Sequence, residues 1–298
     1  MLPWKMRQHP LFFPYLALAS VCFFWGATYV GIRMALEGFP PLLLVGTRFL
    51  IAGSIMLAIA FAAKAKFPQG RQLWLTCLYG VMMLGVANGA LTFAEQWIPS
   101  SLAALMVTTG PFWLVGIEHA TGGERINPRA LFGLCVGFCG ALLLLIPKDG
   151  WGHFDTSMLK GFLLLNLGGL FWNGGSVLQK RQKLETHPFV SGALHNFACG
   201  ILFFPLGLLT PHTPVVWKLN STLALIYLVI FGSLAGFNSY IYALERLPVS
   251  VVSIYNYVNP AVAAILGVWF YNEPIGWREI AAMVVIFIGV AIVKRAHD

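Results

Sequence analysis

The segment SIYNYVNPAVAAILGVWFYNEPIGW, residues 253–277, decides the class of this protein. Its second half is apolar enough to span a membrane, whereas its first half holds two tyrosines, two asparagines and Pro260. Proline removes a backbone N–H, and its ring obstructs the carbonyl four residues earlier, so polar groups become free in mid-span. Such groups are tolerated at membrane depth only inside protein or beside a water-filled cavity. The segment therefore predicts a transmembrane helix that faces a cavity or the protein interior.

The composition extends this interpretation to the whole chain. Of its 298 residues 58% are hydrophobic and 10% are charged, and the mean hydropathy is +0.76. A soluble domain has about 25% charged residues. Apolar runs of bilayer length predict an all-α integral membrane protein with ten transmembrane helices. The predicted spans are 12–35, 41–63, 72–94, 99–119, 129–147, 159–180, 188–210, 222–243, 248–271 and 276–294.

The positive charges predict the orientation of these spans. If the spans alternate, one side receives both termini and 13 Lys and Arg residues, the other side receives 5, and Arg48 falls inside a span. By the positive-inside rule both termini should be cytoplasmic. The net charge of +8 is then a consequence of topology, and no nucleic-acid partner is expected. The first apolar run is too long for a signal-peptide core, so we expect no cleavable signal peptide. The expected location is the bacterial inner (plasma) membrane.

An internal repeat divides the chain. Pro99 and Pro248 are 149 residues apart, as are Pro111 and Pro260, while an offset of 147 relates upstream positions such as Gly53 and Gly200. Each half, 1–147 and 148–298, then contains five predicted spans. Because five is odd, the halves must enter the membrane from opposite sides, which is the inverted-repeat architecture of alternating-access transporters. The sequence predicts two inverted five-helix repeats with a binding site between the two proline-containing spans.

Several segments together resemble a known family. FFWGATYVGIRMALEGFPPLLLVGTRFLIAG, ANGALTFAEQWIPSSLAALMV and NSYIYALERLPVSVVSIYNYVNPAVAAILG, with the GE and NE pairs after spans four and nine, are similar to the EamA family of the drug/metabolite transporter superfamily. The resemblance covers essentially the whole chain. It implies ten helices, export of small metabolites, and a central cavity lined mainly by helices 1, 3, 4, 6, 8 and 9. It does not specify the substrate.

Aromatic and polar residues in the predicted spans are candidates for the cavity wall. For each of them the alternative interpretation is ordinary helix packing. Only one of Tyr255 and Tyr257 can face the cavity from an intact helix. The candidates for substrate binding are Trp25, Tyr29, Asn88, Thr109, Trp172, Asn238, Tyr255 and Asn256.

Three charged or titratable residues are candidates for ion pairing or coupling. A charge inside a span costs about 2.5–3.5 kcal/mol, so Arg48 should have a partner or contact water. We predict a pair with Glu95, either as a static ion pair or as part of an anchor for a substrate carboxylate. His195, the repeat mate of Arg48, titrates near neutral pH and is either a proton-coupling residue or a core histidine. Transport should be facilitated diffusion or proton coupling through His195. Glu124 and Glu273 are expected to begin spans five and ten, where a carboxylate suits a helix N-terminus.

Other classes of function fit less well. An intramembrane enzyme would need a nucleophile with its base, a GxSxG or an HExxH motif, and the sequence has none of them. A channel-like permease would need a ring of like charges or a carbonyl filter. The five cysteines lie within predicted spans, where we expect small buried residues rather than a disulfide frame. We expect no enzyme activity, no cofactor and no metal, a small-molecule substrate and the lipid bilayer as partners, and a monomer or homodimer.

Overall fold

The computed structural model describes residues 11–121, 128–143, 156–182, 186–211, 213–252 and 254–297. All regular secondary structure in these ranges is helical. In chain order the helices are α1 (Phe12–Leu36), α2 (Pro41–Ala62), α3 (Gly70–Ala94), α4 (Ser100–Val107), α5 (Gly110–Ala120), α6 (Pro128–Leu143), α7 (Thr156–Arg181), α8 (Pro188–Leu209), α9 (Leu219–Arg246), α10 (Val249–Val252), α11 (Tyr255–Tyr271) and α12 (Trp277–His297).

Helix length and composition confirm an all-helical membrane protein. Within the described residues, six helices are long and apolar enough to cross a bilayer: α1, α2, α3, α7, α8 and α9. The four other predicted spans coincide with α4 and α5, with α6, with α10 and α11, and with α12. These helices are not among the six, so the ten-span arrangement stays a prediction.

Two of the long helices change their hydrogen-bonding pattern in the middle. A π-helical segment occupies Val81–Ala87 of α3, and another occupies Leu228–Phe237 of α9. Their first residues are 147 positions apart, the same offset that relates Gly53 and Gly200. π segments are uncommon and occur frequently at functional sites, because they turn side chains and carbonyls out of the regular helical pattern.

Glycines bring two pairs of helices into backbone contact, and the contacts are reciprocal. A Cβ on Gly53 of α2 would overlap the backbone of Phe197 in α8, and a Cβ on Gly200 of α8 would overlap the backbone of Leu50 in α2. Leu50 and Phe197 are again 147 residues apart. Such a pairing, in which each residue meets the mate of the other, is what a two-fold relation produces.

The same reciprocity relates α6 and α12. A Cβ on Gly140 would lie 2.8 Å from the nitrogen of Ile286, and a Cβ on Gly289 would overlap the backbone of Gly137. Gly140 and Gly289, like Gly137 and Ile286, are 149 residues apart. Small residues at these points allow the helix axes to approach closely.

The two proline-containing spans are both interrupted, but not in the same way. In the first half, Thr108 and Thr109 separate α4 from α5, and their hydroxyls donate to the carbonyls of Leu105 (2.6 Å) and Met106 (2.9 Å). In the second half the interruption precedes α11, which then continues through Pro260. An interruption at Pro260 itself, which the sequence suggested, is therefore wrong. A Pro260 ring removes one helical hydrogen bond, and the rest of the α11 ladder keeps the helix continuous.

Candidate functional site

A cavity of about 100 Å³ lies between the two halves, and it has room for several water molecules. Residues of α1, α2, α3, α4, α5, α7, α9 and α11 contribute to its wall. The polar and aromatic residues of the wall are Trp25, Thr28, Tyr29, Arg48, Asn88, Trp172, Asn173, Phe237, Tyr255, Asn256 and Asn259.

Seven of the predicted site residues line this cavity. They are Trp25, Tyr29, Arg48, Asn88, Trp172, Tyr255 and Asn256. The other four, Thr109, Asn238, Glu95 and His195, lie outside the cavity wall. The side chain of Tyr257 and the whole of Glu124 lie outside the described residues. The role of each residue in transport remains a prediction.

An aromatic cluster forms one wall of the cavity. The rings of Trp25 and Trp172, which are repeat mates, have centroids 5.3 Å apart and meet edge to face. Tyr240 and Tyr255 pack on Trp25 at 5.1 and 5.4 Å. These separations are typical of favourable aromatic pairs. The indole nitrogen of Trp25 donates to the carbonyl of Gly232 at 3.0 Å, so a π-segment carbonyl fixes this ring.

Arg48 is the buried cation of the cavity. Its residue is 5% exposed, and its Nε donates to the hydroxyl of Ser233 at 2.9 Å. A Cβ on Gly232 would lie only 2.6 Å from Arg48 Nη2, so an alanine there would force the guanidinium to shift. In the part of the chain that the structure describes, the guanidinium forms no ion pair with an acidic side chain. Arg48 thus presents a buried positive charge to the cavity.

The predicted Arg48–Glu95 pair does not form. Arg48 is the eighth residue of α2, about two turns inside the helix, whereas α3 ends at Ala94 and places Glu95 at its terminus. With a rise of about 1.5 Å per residue, these depths differ by roughly 10 Å.

Asn88 and Asn238 occupy equivalent places after the two π segments. Asn88 follows Val81–Ala87 and donates to the carbonyl of Met83 at 3.4 Å. Asn238 follows Leu228–Phe237 and donates to the carbonyl of Leu234 at 2.6 Å. Both side chains thus satisfy a carbonyl of the irregular segment. Asn88 also faces the cavity, whereas Asn238 packs against Gly192 behind the wall.

Thr109 lies beside the cavity rather than in its wall. Its hydroxyl bonds the carbonyl of Met106 and lies 3.5 Å from the Asn166 amide oxygen, to which Trp113 Nε1 also donates at 3.3 Å. Gly110, the next residue, does line the cavity. The Thr109 hydroxyl, which was predicted to bind substrate, therefore stabilises the break between α4 and α5 instead.

His195 is fully buried in α8, and neither ring nitrogen has a hydrogen-bond partner among the described residues. Gly80 of α3 packs on its backbone, and its ring lies 5.6 Å from the ring of Phe237. Phe237 lines the cavity and separates His195 from it. A coupling role for His195 stays a prediction.

The sequence did not indicate Thr28, Asn173 and Ser233 as site residues, whereas Asn259 is one of the two asparagines in the first half of the opening segment. Asn259, with its amide nitrogen turned towards two carbonyls, donates to Cys22 and Tyr255 at 3.1 Å each and so ties α11 to α1. Asn173 directly follows Trp172, so its position at mid-span could have identified it from the sequence as a cavity residue. Ser233 had no such signal, because serine is common in helix contacts.

A second polar cluster lies at the end of the bundle where α1 ends and α4 begins. Glu273, which follows α11, accepts hydrogen bonds from Ser100 N (3.0 Å), Ser100 Oγ (2.7 Å) and Ser101 N (3.0 Å), and it pairs with Arg33 of α1. Burial raises the pKa of Glu273. The hydrogen bonds from Ser101 and Ser100 together lower it by more, so the net pKa lies below its ordinary value.

The predicted role of Glu273 at the start of the last span is wrong. Its carboxylate binds the N-terminus of α4, from the other half of the chain, because the turn after Tyr271 directs it there. Glu279 occupies the start of α12 instead, where it accepts a hydrogen bond from Gly276 N at 2.8 Å. A glutamate at this position of the first turn is typical of helix capping.

Comparison with known proteins identifies the family. The model of the EamA-like transporter family matches residues 12–146 and again residues 159–295. The chain belongs to the EamA-like transporter family. It is therefore an integral membrane protein and a transporter of small metabolites.

Individual relatives agree with this assignment. The chain is 32% identical over 281 residues to the "Uncharacterized inner membrane transporter YedA" of Escherichia coli (strain K12), covering 93% of this chain and 89% of that protein. It is 26% identical to a "Probable amino-acid metabolite efflux pump" of the same strain, covering 90% of each. A crystal structure with 21% identity aligns with a TM-score of 0.68 over 94% of this chain and 95% of the other, which shows the shared fold. The names of these relatives point to transporters rather than enzymes.

Proposed function

We propose that this transporter exports a small metabolite that carries a carboxylate, by alternating access, through the cavity between its two halves. The observation that carries the proposal is Arg48. A buried guanidinium without an acidic partner in the described chain is costly in a membrane protein unless it contacts water or an anionic ligand. The planar guanidinium matches a carboxylate in charge and geometry.

The rest of the cavity supports a ligand of mixed character. The amides of Asn88, Asn173 and Asn256 offer donors and acceptors. The Trp25–Trp172–Tyr255 surface offers an apolar wall to the body of the substrate. Pockets with an apolar wall and a few convergent polar groups are typical ligand sites. The name of the amino-acid metabolite efflux relative is compatible with such a substrate.

The proposed topology has ten spans in two inverted repeats, 1–147 and 148–298, with both termini on the cytoplasmic side of the inner membrane. The two family matches, one per half, support the repeat. So do the reciprocal contacts between α2 and α8. Binding at the interface of inverted repeats, next to irregular helices, is the pattern of secondary transporters.

The test begins with a resistance screen of overproducing cells against a panel of toxic carboxylates and their amides, followed by uptake into inverted vesicles. Wild type should prefer the carboxylate over its amide, and Arg48→Gln should lose about tenfold or more of that preference. Arg48→Lys keeps the charge and should retain part of it. Arg246→Gln, which removes an exposed arginine, is the matched control. Equal transport of acids and amides by wild type would contradict the proposal.

A further inference from the structure

Glu95 is a buried acid at the end of α3. The residue is 5% exposed, and neither Oε1 nor Oε2 has a hydrogen-bond partner within the described ranges. An ionised carboxylate in such an environment is strongly disfavoured, whereas the neutral acid is tolerated. Glu95 therefore holds a proton in this conformation.

The groups around Glu95 contain one cation and a second acid. Arg33 and Tyr29 face it from α1, and Glu273 and Tyr271 face it from the end of α11 and the turn that follows. The cation Arg33 is paired with Glu273, and its guanidinium also lies 4.4 Å from the ring centroid of Tyr271. Both carboxyl groups thus lie within electrostatic range of one arginine, an arrangement in which one acid stays charged and the other neutral.

We propose that Glu95 is the proton-binding site that couples this transporter to a proton gradient, with Arg33 alternating between Glu273 and Glu95. The inference rests on the proposed function. It assigns coupling to a residue outside the substrate cavity.

The change of partner has a structural consequence at the end of the bundle. While Glu95 is neutral, Arg33 stays on Glu273, whose carboxylate holds Ser100 and Ser101 at the start of α4. When the Glu95 O–H breaks, its proton passes to water, and the carboxylate that remains attracts Arg33. Glu273 then loses its cation, and the contact between α11 and α4 weakens at this end. Deprotonation favours opening, and protonation favours closure.

The position of Glu95 links this end to the cavity. Tyr29 lines the cavity and is also within the electrostatic influence of Glu95. A proton taken up from the predicted outer side would close that end and leave towards the cytoplasm through the cavity. The charged Glu95 would then favour reopening with substrate bound, which is the order required for exchange of a proton for an exported metabolite.

The proton site is not duplicated by the repeat. The offset of 149 that relates Pro99 to Pro248 places Leu244 opposite Glu95. Leu244 is buried at 1% exposure and cannot carry a proton. The second half therefore has no acid at the position equivalent to Glu95.

Infrared difference spectroscopy of the purified protein in lipid nanodiscs tests the protonation of Glu95 directly and needs no substrate. Wild type at neutral pH should show the C=O band of a protonated carboxylic acid, and Glu95→Gln should lack it. Glu37→Gln, which removes the carboxylate that accepts from Tyr271, should keep the band. Glu95→Asp should keep it as well and guards against misfolding of the Gln variant. A wild-type band that persists in Glu95→Gln, or that is absent from wild type, would overturn the proposal.

Coupling is then tested in proteoliposomes with the substrate found by the screen. Glu95→Gln, which mimics the neutral acid and so favours the closed outer end, should lose accumulation driven by a pH gradient and should exchange labelled for unlabelled substrate at a rate that no longer changes with pH. His195→Ala should keep that accumulation. Gradient-driven accumulation that survives in Glu95→Gln would remove coupling from Glu95. If wild type transports no panel compound, the proposed function fails while the infrared result still decides the protonation of Glu95.

Discussion

The Nε atom of Arg48 lies 2.9 Å from the hydroxyl of Ser233, although 185 residues separate them in the chain. Arg48 belongs to the first half and Ser233 to the π segment Leu228–Phe237 of the second. The π segment places Gly232 and Ser233 together against the guanidinium. Gly232 leaves space for the guanidinium, and the Ser233 hydroxyl orients it. A cavity between two repeats is thereby given a fixed positive charge.

Loss of this hydrogen bond should weaken substrate binding without removing the charge. A hydrogen bond to a charged group contributes about 1.5–3 kcal/mol, and about 1.4 kcal/mol corresponds to tenfold in affinity. Ser233→Ala should therefore raise the KM for the carboxylate substrate about tenfold while the maximal rate changes less. Ser20→Ala, which removes a hydroxyl bonded within its own helix, should leave both values unchanged. Kinetics of uptake into inverted vesicles measure this.

The contact between α2 and α8 should not tolerate a methyl group. A Cβ on Gly53 overlaps backbone atoms of Phe197, which cannot move as a side-chain end can. Overpacking of this kind costs about 1–3 kcal/mol, so Gly53→Ala should lower the melting temperature in detergent. Gly116→Ala in α5, where an added Cβ would meet no atom of the described residues within 4 Å beyond the backbone of its own helix, should maintain or raise it because alanine favours helix. Equal behaviour of the two variants would contradict the close approach.

Acid should weaken the Glu273 cluster. The pKa of this carboxyl is lowered from its ordinary value of 4.5. Its contribution to stability is therefore present above that value and is lost as the pH falls through the lowered pKa. Melting curves from pH 7 to pH 3 should show wild type losing stability below about pH 4.5. Glu273→Gln should melt lower at pH 7 and show a smaller acid loss, whereas an unchanged acid loss would exclude Glu273 as its source.

The two termini should lie on the same side of the membrane. The arrangement of Lys and Arg residues predicts that this side is the cytoplasm. A green fluorescent protein at the C-terminus should fluoresce, and alkaline phosphatase at the same site should be inactive. The opposite pair of results would reverse the topology and exchange the inner and outer ends in the proposed cycle.

The sequence predicts the helical membrane fold well because the physical signals are local and strong. Apolar runs of bilayer length coincide with helices throughout the described residues, and the mates Trp25 and Trp172 are in contact as the repeat implies. Polar and aromatic residues at mid-span indicated seven of the residues that line the cavity. A group that is costly in lipid must face water or protein, and that rule selects Arg48, Asn88 and Asn256 without any structure.

The sequence does not predict partners that depend on a register between helices. Arg48 is bonded to Ser233 rather than to Glu95, because a π segment turns that serine inward. Glu273 binds the start of α4 rather than of α12, because the turn after α11 sets its direction. Both outcomes depend on small rotations and shifts of one helix against another, and hydrophobic periodicity carries no information about them.

Substrate protection of a thiol in the cavity tests directly whether the cavity binds a carboxylate substrate. The variant Asn256→Cys is made in a background in which the five native cysteines are replaced by serine or alanine, and it is treated in membrane vesicles with a maleimide reagent. If the cavity binds a carboxylate beside Arg48, Cys at this position should be labelled, and the carboxylate substrate, but not its amide, should slow labelling. A Cys in place of Leu209, which is 84% exposed on the outside of the bundle, should be insensitive to substrate. Labelling at position 256 that proceeds at the same rate with and without a transported carboxylate would contradict the account.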